Sequence, residues 1–388
     1  MIEVKLLKVG SKVGEKMNEF IIFLQGLPSA FEMAFIYSIM VMGVYITYKI
    51  LDFPDLSVDG TFPLGGFVFA AFALSPNGFF GITSPIVGLI LSALAGALAG
   101  YATGYLHVEK KIDKLLSGIL VMTALYSINS RVVGSPNVFI TPERSIYEVV
   151  TYEKHFLIFA LFSIVLLGIK MFYDYKIKEN KYVIRSISIY IIILLSLLWY
   201  TMGTKNMKLL TTVLLVFVIK MIIDYVLTSK FGFALRALGD NENLVVGLGV
   251  NEKKLKIYGL MISNSLVALS GALFAQYIKV ADILGGVGTI VVGLASIIFG
   301  LGILKKSKTI NDLSIVIVGT IMYYSIIHLA LESNNWSKIL YKSLNFSDNT
   351  IGLLEIKPTD LKVITAIILV LVMGIGLYKK LRQGKRGK

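Results

Sequence analysis

The stretch GLILSALAGALAGYATG, Gly88 to Gly104, decides the fold class of this chain. It contains apolar and small residues and no charged side chain. Backbone groups in lipid must form their hydrogen bonds within their own segment, so an apolar run of this kind is an α-helix. Small residues four positions apart, such as Gly96 and Gly100, let neighbouring helices approach closely. The stretch therefore predicts a transmembrane helix that packs inside a bundle.

Comparable apolar runs recur along the whole chain, and each is long enough to cross most of a bilayer core of about 30 Å. We count about eleven, near 31–50, 62–76, 82–106, 115–130, 156–172, 184–202, 208–227, 256–277, 285–304, 313–331 and 361–378. They are too long and too uniform for the alternating strands of a membrane β-barrel. The predicted fold is therefore all-α, a polytopic membrane helix bundle of about 10–11 transmembrane helices. The two runs between 156 and 202 are poor in glycine and are expected at its periphery.

The composition agrees with a membrane protein. The chain has 388 residues, of which 56% are hydrophobic and 16% charged, against about 25% charged in soluble domains. The net charge of +14 comes from Lys and Arg in short loops between apolar runs, which reflects membrane topology rather than nucleic-acid binding. The absence of cysteine excludes disulfides and thiolate sites. We expect a multi-pass protein of the plasma or inner membrane, with the lipid bilayer and not nucleic acid as a partner.

Basic loops predict the orientation, because they favour the cytoplasmic side. These loops are 107–114, 173–181, 229–254, 305–308 and 379–388. The loops 131–155 and 332–360 then lie outside. The side of the N-terminus stays open: counting back places residue 31 outside, whereas the lysine-bearing N-terminus favours the inside. The apolar piece 20–28 is either a half-span or an interfacial helix.

The chain lacks the motifs of common catalytic sites. It has no G-x-x-x-x-G-K-[ST] phosphate loop, no H-E-x-x-H motif and no nucleophile elbow. We therefore expect no catalytic residue, no metal site and no ATP bound through such a loop. Few charges fall inside the runs: Lys220 and Asp224 can pair on one helix face, and Glu32 is expected at a hydrated span end. This scarcity argues against an ion-coupled carrier without excluding one.

The stretch KILDFPDLSVDGTFPLGG, Lys49 to Gly66, joins two apolar runs. It contains three aspartates, Asp52, Asp55 and Asp59. It also contains three helix breakers, Pro54, Gly60 and Pro63. Together they predict that the helix is interrupted here. Such a break either lines a transport pathway or forms a cytoplasmic turn between two spans.

The stretch SKFGFALRALGDNENLVVGLGVNEKK, Ser229 to Lys254, is polar and glycine-punctuated. FGFALRAL predicts a short helix that Gly239 ends, and Asp240 or Asn241 can cap a second one. Two short helices held beside the membrane would form a knob that fits a groove on a partner protein. The alternative is an amphipathic linker that lies on lipid headgroups.

Four blocks of this sequence resemble permease subunits of ATP-binding-cassette importers in the branched-chain amino acid and simple-sugar superfamily. The blocks are LDFPDLSVDGTFPLGG, KIDKLLSGILVMTALYSINSRVVGSPNV, FGFALRALGDNENLVVGLGVN and SNSLVALSGALFAQYIKVADILGGVGTIVVGLASIIFG. The tail KPTDLKVITAIILVL is similar to a smaller degree. The chain is most similar to the tryptophan/tyrosine-type branch, much of which is uncharacterised. Two features depart from the pattern: the pair of runs in 156–202 is additional, and Leu301 stands where an acidic residue is expected.

The resemblance implies an organisation and a set of partners. Residues 1–30 form an N-terminal tail or interfacial segment, 31–378 the permease domain with 229–254 as its cytoplasmic coupling segment, and 379–388 a basic tail. Two copies of the chain form the pathway, and an extracytoplasmic binding protein or lipoprotein delivers the solute. Separate ATPase subunits bind ATP, so this chain needs no cofactor. The resemblance implies that they contact Phe231, Gly232, Arg236, Ala237, Gly239 and Asn241.

A small solute is expected to move inward, with an amino acid favoured and an aromatic one as the finer expectation. Candidate solute-facing residues are polar or small groups in or beside the spans, namely Asp52, Asp55, Asp59, Gly65, Asn264 and Gln276. Two other classes stay open. An ion-coupled secondary transporter would work without an ATPase, and a membrane-embedded enzyme or scaffold would need acidic or histidine groups at one depth.

Overall fold

The computed structural model describes residues 26–77, 82–172, 183–304 and 310–343, together with positions 360, 363, 366, 367 and 370. The described chain is mostly helical, which confirms the all-α membrane bundle. Its helices are α1 (Gly26–Ile50), α2 (Val58–Leu74), α3 (Pro85–Val108), α4 (Lys114–Val133), α5 (Ile146–Val149), α6 (Tyr152–Phe172), α7 (Val183–Thr204), α8 (Lys208–Thr228), α9 (Lys230–Asp240), α10 (Glu242–Gly247), α11 (Glu252–Ile278), α12 (Thr289–Ile303) and α13 (Asp312–Ser343). The strands β1 (Asn137–Phe139) and β2 (Val280–Asp282) form an antiparallel pair.

Eight helical segments of the described residues are long and apolar enough to cross a membrane, and each matches a predicted run. Two further predicted runs, 62–76 and 184–202, correspond to the shorter apolar helices Val58–Leu74 and Ser188–Thr204. The predicted run 361–378 falls outside the described residues except at isolated positions. Helix α1 begins at Gly26, so the expected boundary at residue 30 lies inside a helix.

The early start of α1 corrects the prediction for Glu32. This side chain is 3% exposed rather than hydrated at a span end. It lies six positions inside the helix, where it faces the hydroxyl of Tyr277 from the end of α11. The carboxylate is thus a buried polar contact between two helices.

Helix α11 is the centre of the bundle and packs along α3 and α2. A side chain at Gly96 or Gly100 would overlap the carbonyl oxygens of Asn264 and Leu260 on α11. The small-residue stripe of the opening stretch therefore brings two backbones together, as predicted. On the far side of the bundle, α6 and α7 pack against α8 through a separate apolar cluster that includes Leu166, Leu197 and Leu210. The two additional helices are peripheral, also as predicted.

The predicted helix interruption is present, but earlier than its glycine and second proline indicate. Helix α1 ends in a π-helical turn, Ile46–Ile50, and residues 51–57 are not helical. Gly60 and Pro63 both lie inside α2. The missing N–H of Pro63 leaves the carbonyl of Asp59 without its usual helical donor. Gly286 packs closely against that carbonyl and the proline ring, so a neighbouring segment covers the defect.

The end of the bundle opposite α9 and α10 is closed by the segment 134–150, and we call it the outer end. Strand β1 pairs with β2 there. The guanidinium of Arg144 donates to the carbonyl oxygens of Phe72, Ser75 and Pro76 at the end of α2. These bonds satisfy carbonyl groups that the end of a helix leaves without partners.

Candidate coupling surface and translocation junction

The two short helices predicted in 229–254 are present, but Gly239 does not end the first one, because α9 continues through it to Asp240. Side-chain caps define where each helix begins. Ser229 Oγ accepts a hydrogen bond from Gly232 N at 3.5 Å at the start of α9. Asn241 Oδ1 accepts from Leu244 N at 3.2 Å at the start of α10. Asn251 Oδ1 accepts from Lys254 N at 3.0 Å at the start of α11. Capping of this kind stabilises a helix start by about 1 kcal/mol, so the segment has a defined shape.

Most of the predicted coupling residues face the bundle. A side chain at Gly239 would overlap the carbonyl of Ile50, the last residue of α1, and one at Gly232 would overlap the carbonyl of Leu227. Phe231 and Ala237 pack against the main apolar core. Arg236 is half-buried, with its guanidinium 5.8 Å from the ring centre of Phe233. Asn241 is exposed.

The outward surface of the segment carries four strongly exposed apolar residues beside polar ones such as Lys230 and Glu242, and three of the four, Phe233, Leu244 and Leu248, were not selected from the sequence. Phe233 is 62% exposed, Leu244 54%, Val246 50% and Leu248 71%. We call these four residues the coupling patch. Exposed apolar patches outside a membrane usually mark a protein contact. The sequence contains an indication of this surface: Leu244, Val245 and Val246 are consecutive, and a short helix can bury only one side.

Residues 51–57, here called the junction, connect α1 to α2 and lie against the coupling segment. Leu51 contacts the position of Gly259 on α11, and Leu235 of α9 lies beside it. Lys114 Nζ donates to the carbonyl of Asp52 at 2.9 Å. Asp52 itself is exposed and has a φ of 50°.

Inside the junction, the structure brings together two candidates that lie 209 positions apart, Asp55 and Asn264. Asp55 Oδ2 accepts from Asn264 Nδ2 at 2.7 Å, and Asp55 Oδ1 accepts from Ser57 N at 2.9 Å. Ser57 Oγ donates to Asn264 Oδ1 at 3.2 Å. Since Asn264 lies near the middle of the 27-residue α11, the junction enters the bundle and α2 begins about halfway through it.

Asp59, in the first turn of α2, caps the N-terminus of α12. Its Oδ1 accepts from Ile290 N at 2.9 Å and from the Thr289 hydroxyl at 3.0 Å, and its Oδ2 accepts from Gly288 N at 2.9 Å. The carboxylate satisfies free N–H groups and lies at the positive end of the helix dipole. Asp59 thus joins the starts of two helices that are far apart in sequence.

The six solute-facing candidates do not form one cluster. Besides the contacts above, Gly65 accepts from Ser92 Oγ at 2.9 Å, and a side chain there would overlap the carbonyl of Ala268. Gln276 Oε1 accepts from Ile146 N at 2.9 Å at the outer end.

Nearby, Thr212 Oγ1 lies 3.5 Å from the Tyr147 hydroxyl. Burial raises the pKa of the Tyr147 phenol, which keeps the group neutral.

Helix α4 carries a polar stripe that the sequence analysis did not single out. Thr123, Ser127 and Arg131 are all exposed and follow one another at four-residue spacing along a candidate membrane span. Residues at this spacing share one helix face. Polar and charged groups inside a span usually face a water-filled cavity or another helix rather than lipid. The four-residue spacing could have revealed this stripe from the sequence.

Comparisons with known proteins agree with this architecture. Residues 29–344 match the family described as branched-chain amino acid transport system / permease component. The chain is 35% identical over 353 residues to a tyrosine transport system permease protein of Clostridioides difficile (strain R20291), covering 91% of this chain and 92% of that protein. It is 26% identical over 322 residues to an uncharacterised protein of Rickettsia prowazekii (strain Madrid E), covering 81% and 93%. No solved structure gives a significant match.

These matches extend over most of the chain, and the bundle has the membrane helices that a permease requires. The resemblance found in the sequence is thereby confirmed. The expectation of a multi-pass protein of the plasma membrane is confirmed as well. The chain belongs to the family of permease components of branched-chain amino acid transport systems.

Proposed function

We propose that this chain is the membrane subunit of an ATP-binding-cassette importer for an amino acid, and that it works as a homodimer. ATP is bound and hydrolysed by separate ATPase subunits, and the chain itself catalyses no reaction. An extracytoplasmic binding protein or lipoprotein delivers the solute. The observation that carries the proposal is the coupling segment, which exposes an apolar patch on one side and packs against the junction on the other.

Force would pass from the ATPase to the pathway through contacts between backbones. The coupling patch supplies the docking surface, and Gly239 and Leu235 transmit its movement to Ile50 and Leu51. Because Gly239 has no side chain, α9 lies directly on the end of α1, and little motion is lost in flexible side chains. The predicted residues Phe231, Gly232 and Ala237 support this arrangement from beneath the docking surface, and Arg236 and Asn241 lie at its edge.

The pathway would change at the junction. The pairing of Asp55 with Asn264 and the cap that Asp59 provides for α12 connect the junction to two other helices. The other three candidates stabilise the bundle at different depths. Asp52 lies at the end near the coupling segment, Gly65 in the middle and Gln276 at the outer end. These six residues thus shape the pathway, while the polar stripe of α4 faces the solute and the second copy.

An aromatic amino acid is the favoured solute. The support is the 35% identity to a protein whose name gives tyrosine as its solute. Arg131 in the exposed stripe offers a planar donor pair for a carboxylate, and each tyrosine molecule carries one.

The test is uptake of radiolabelled tyrosine into proteoliposomes that contain the permease, its ATPase and its binding protein. We expect uptake only with ATP and all three components. A matched preparation with a hydrolysis-deficient ATPase is the control. Uptake by the permease alone, driven by a proton or sodium gradient, would instead establish a secondary transporter and overturn the proposal.

A further inference from the structure

The start of α13 is held by polar contacts from α8 and α1. Just before the helix, Asn311 Nδ2 donates to Asp224 Oδ2 of α8 at 3.5 Å. The same oxygen of Asp224 pairs with Lys220 Nζ at 2.7 Å. Asp312, the first residue of α13, lies within hydrogen-bonding reach of the Tyr45 hydroxyl of α1. The beginning of α13 is therefore fixed to two other helices of the bundle.

Tyr45 also connects α13 to the coupling segment. This residue is 6% exposed and directly precedes the π-helical turn that ends α1. Arg236 of α9 lies close enough for its charge to act on the Tyr45 hydroxyl, beside the carboxylate of Asp312. Gly239 of α9 packs on Ile50 at the end of the same turn. Helix α9 thus meets the end of α1 at two points, and one of them includes α13.

Helix α13 packs backbone to backbone against α12. A side chain at Gly300 would overlap the carbonyl of Ile315, and one at Gly319 would overlap the carbonyl of Ser296. Because small residues bring the two backbones into direct contact, α12 and α13 are expected to move together. The N-terminus of α12 is capped by Asp59 of α2. A displacement of α13 would therefore reach the start of α2.

We propose that Tyr45 and Asp312 carry movement of the coupling segment to the helix pair α12–α13. A hydrogen bond to a carboxylate is short and directional, so it fixes the two helices more tightly than apolar contact alone. This link is a second route beside the contact of Gly239 with Ile50. Both routes end where Asp59 joins α2 to α12.

The inference rests on the proposed function, because it takes the coupling segment to be driven by an ATPase. Tyr45 is a positioning residue in this scheme, since it is buried and acts through α13 rather than on the solute. Its role is to keep α12–α13 in step with α9 when the ATPase moves the coupling segment.

Spin labels test the link in the permease alone, and the absence of cysteine makes single-site labelling simple. Lys230→Cys on α9 and Val318→Cys on α13 are both exposed positions outside the coupling patch. Pulsed electron paramagnetic resonance then measures the distance between them. Tyr45→Phe removes only the hydroxyl and should broaden the distribution of this distance. Tyr48→Phe removes a hydroxyl from a 41% exposed residue three positions further along α1 and should leave the distribution narrow.

The same label pair tests the movement in the complex with the ATPase. Because α13 follows α9, the wild-type distance should be the same without nucleotide and with ATP bound. In the Tyr45→Phe protein, the distance should change when ATP binds.

The functional readout is the number of tyrosine molecules taken up per ATP hydrolysed in the reconstituted system. We expect Tyr45→Phe to lower this ratio by about fivefold, the usual contribution of one hydrogen bond, while the ATPase co-purifies at wild-type yield. Asp312→Asn should lower it as well, and this second variant guards against one that fails to fold. A contact that only stabilised the fold would lower the thermal unfolding midpoint and leave the ratio unchanged.

Three results would overturn the link. The first is a distance distribution in the permease alone that is equally narrow in the wild-type and Tyr45→Phe proteins. The second is a wild-type distance that changes when ATP binds to the complex. The third is a normal uptake ratio in folded Tyr45→Phe and Asp312→Asn proteins. Failure of the wild-type system to take up tyrosine with ATP counts against the proposed function instead, and the distances in the permease alone still decide the link.

Discussion

At Asp59, one carboxylate accepts three hydrogen bonds from the first residues of α12. Two of the donors are backbone N–H groups, of Gly288 and Ile290, which no intrahelical bond would satisfy. The negative charge also opposes the positive end of the α12 dipole. A residue selected from the sequence as a solute contact therefore has a direct structural role, and its effect on transport would come through the position of α12.

Asp59→Asn tests this role. The amide keeps the shape but loses the charge and one acceptor oxygen. We expect a loss of about 1–2 kcal/mol in stability, seen as a lower thermal unfolding midpoint of the purified permease. Asp52→Asn is the matched control, because the Asp52 side chain is exposed and asparagine tolerates its positive φ. Equal midpoints for the two variants would contradict the cap.

At the scale of elements, α9 and α10 combine two surfaces. Their inner side is held by Gly232, Leu235, Leu238 and Val245, all buried. Their outer side carries the coupling patch. The caps at Ser229 and Asn241 fix where each helix begins, and so which residues face inward and which face outward. A capped helix pair with an inner and an outer apolar side is suited to lie between a partner and the bundle.

Phe233→Ser should weaken ATPase association without unfolding the permease, because this ring is 62% exposed. Central aromatic residues of an interface often contribute 2 kcal/mol or more, about 30-fold in affinity. Co-purification of the ATPase measures the effect. Phe139→Ser removes an even more exposed phenylalanine, at 79%, from the outer end, and it should have no effect. Wild-type recovery of the ATPase with Phe233→Ser would refute the docking surface.

At the scale of the whole molecule, the question is which sides of the bundle face lipid and which face water. Helix α3 presents apolar residues such as Ile90, Leu94 and Leu98 outward. Helix α4 presents the polar row Thr123, Ser127 and Arg131 beside apolar residues such as Leu116 and Ile128. This asymmetry suits a chain that meets lipid on one side and a second copy across an aqueous pathway on the other.

Because the chain has no cysteine, single cysteines can report this difference. Ser127→Cys should react with a water-soluble maleimide at least about tenfold faster than Leu94→Cys, since the reactive thiolate forms only where water reaches it. Leu94 is 57% exposed, so this control position also lies on the surface of the bundle. Added tyrosine should slow labelling at Ser127→Cys. Equal rates at both positions would place α4 against lipid.

The sequence by itself determined the fold class, the peripheral position of 156–202 and the capped helix pair at 229–254. The fold class and the helix pair depend on near neighbours, because lipid requires a backbone that bonds within its own segment and a cap bonds two or three residues ahead. The pairing of Lys220 with Asp224 was predictable for the same reason, since the two residues are four apart. The peripheral position was indicated by the low glycine content of 156–202.

Only the tertiary structure decided what the candidate residues contact. Asp55 meets Asn264 and Asp59 meets α12 across more than 200 residues of chain, and local periodicity carries no information about such pairs. The break after α1 lies at 51–57 and α2 continues through Pro63, where Gly286 of a distant segment lies against the carbonyl that the proline leaves unbonded. Gly239 could be selected from the sequence as a coupling residue. Its contact with the carbonyl of Ile50 could not, because that contact forms only when α9 packs on the end of α1.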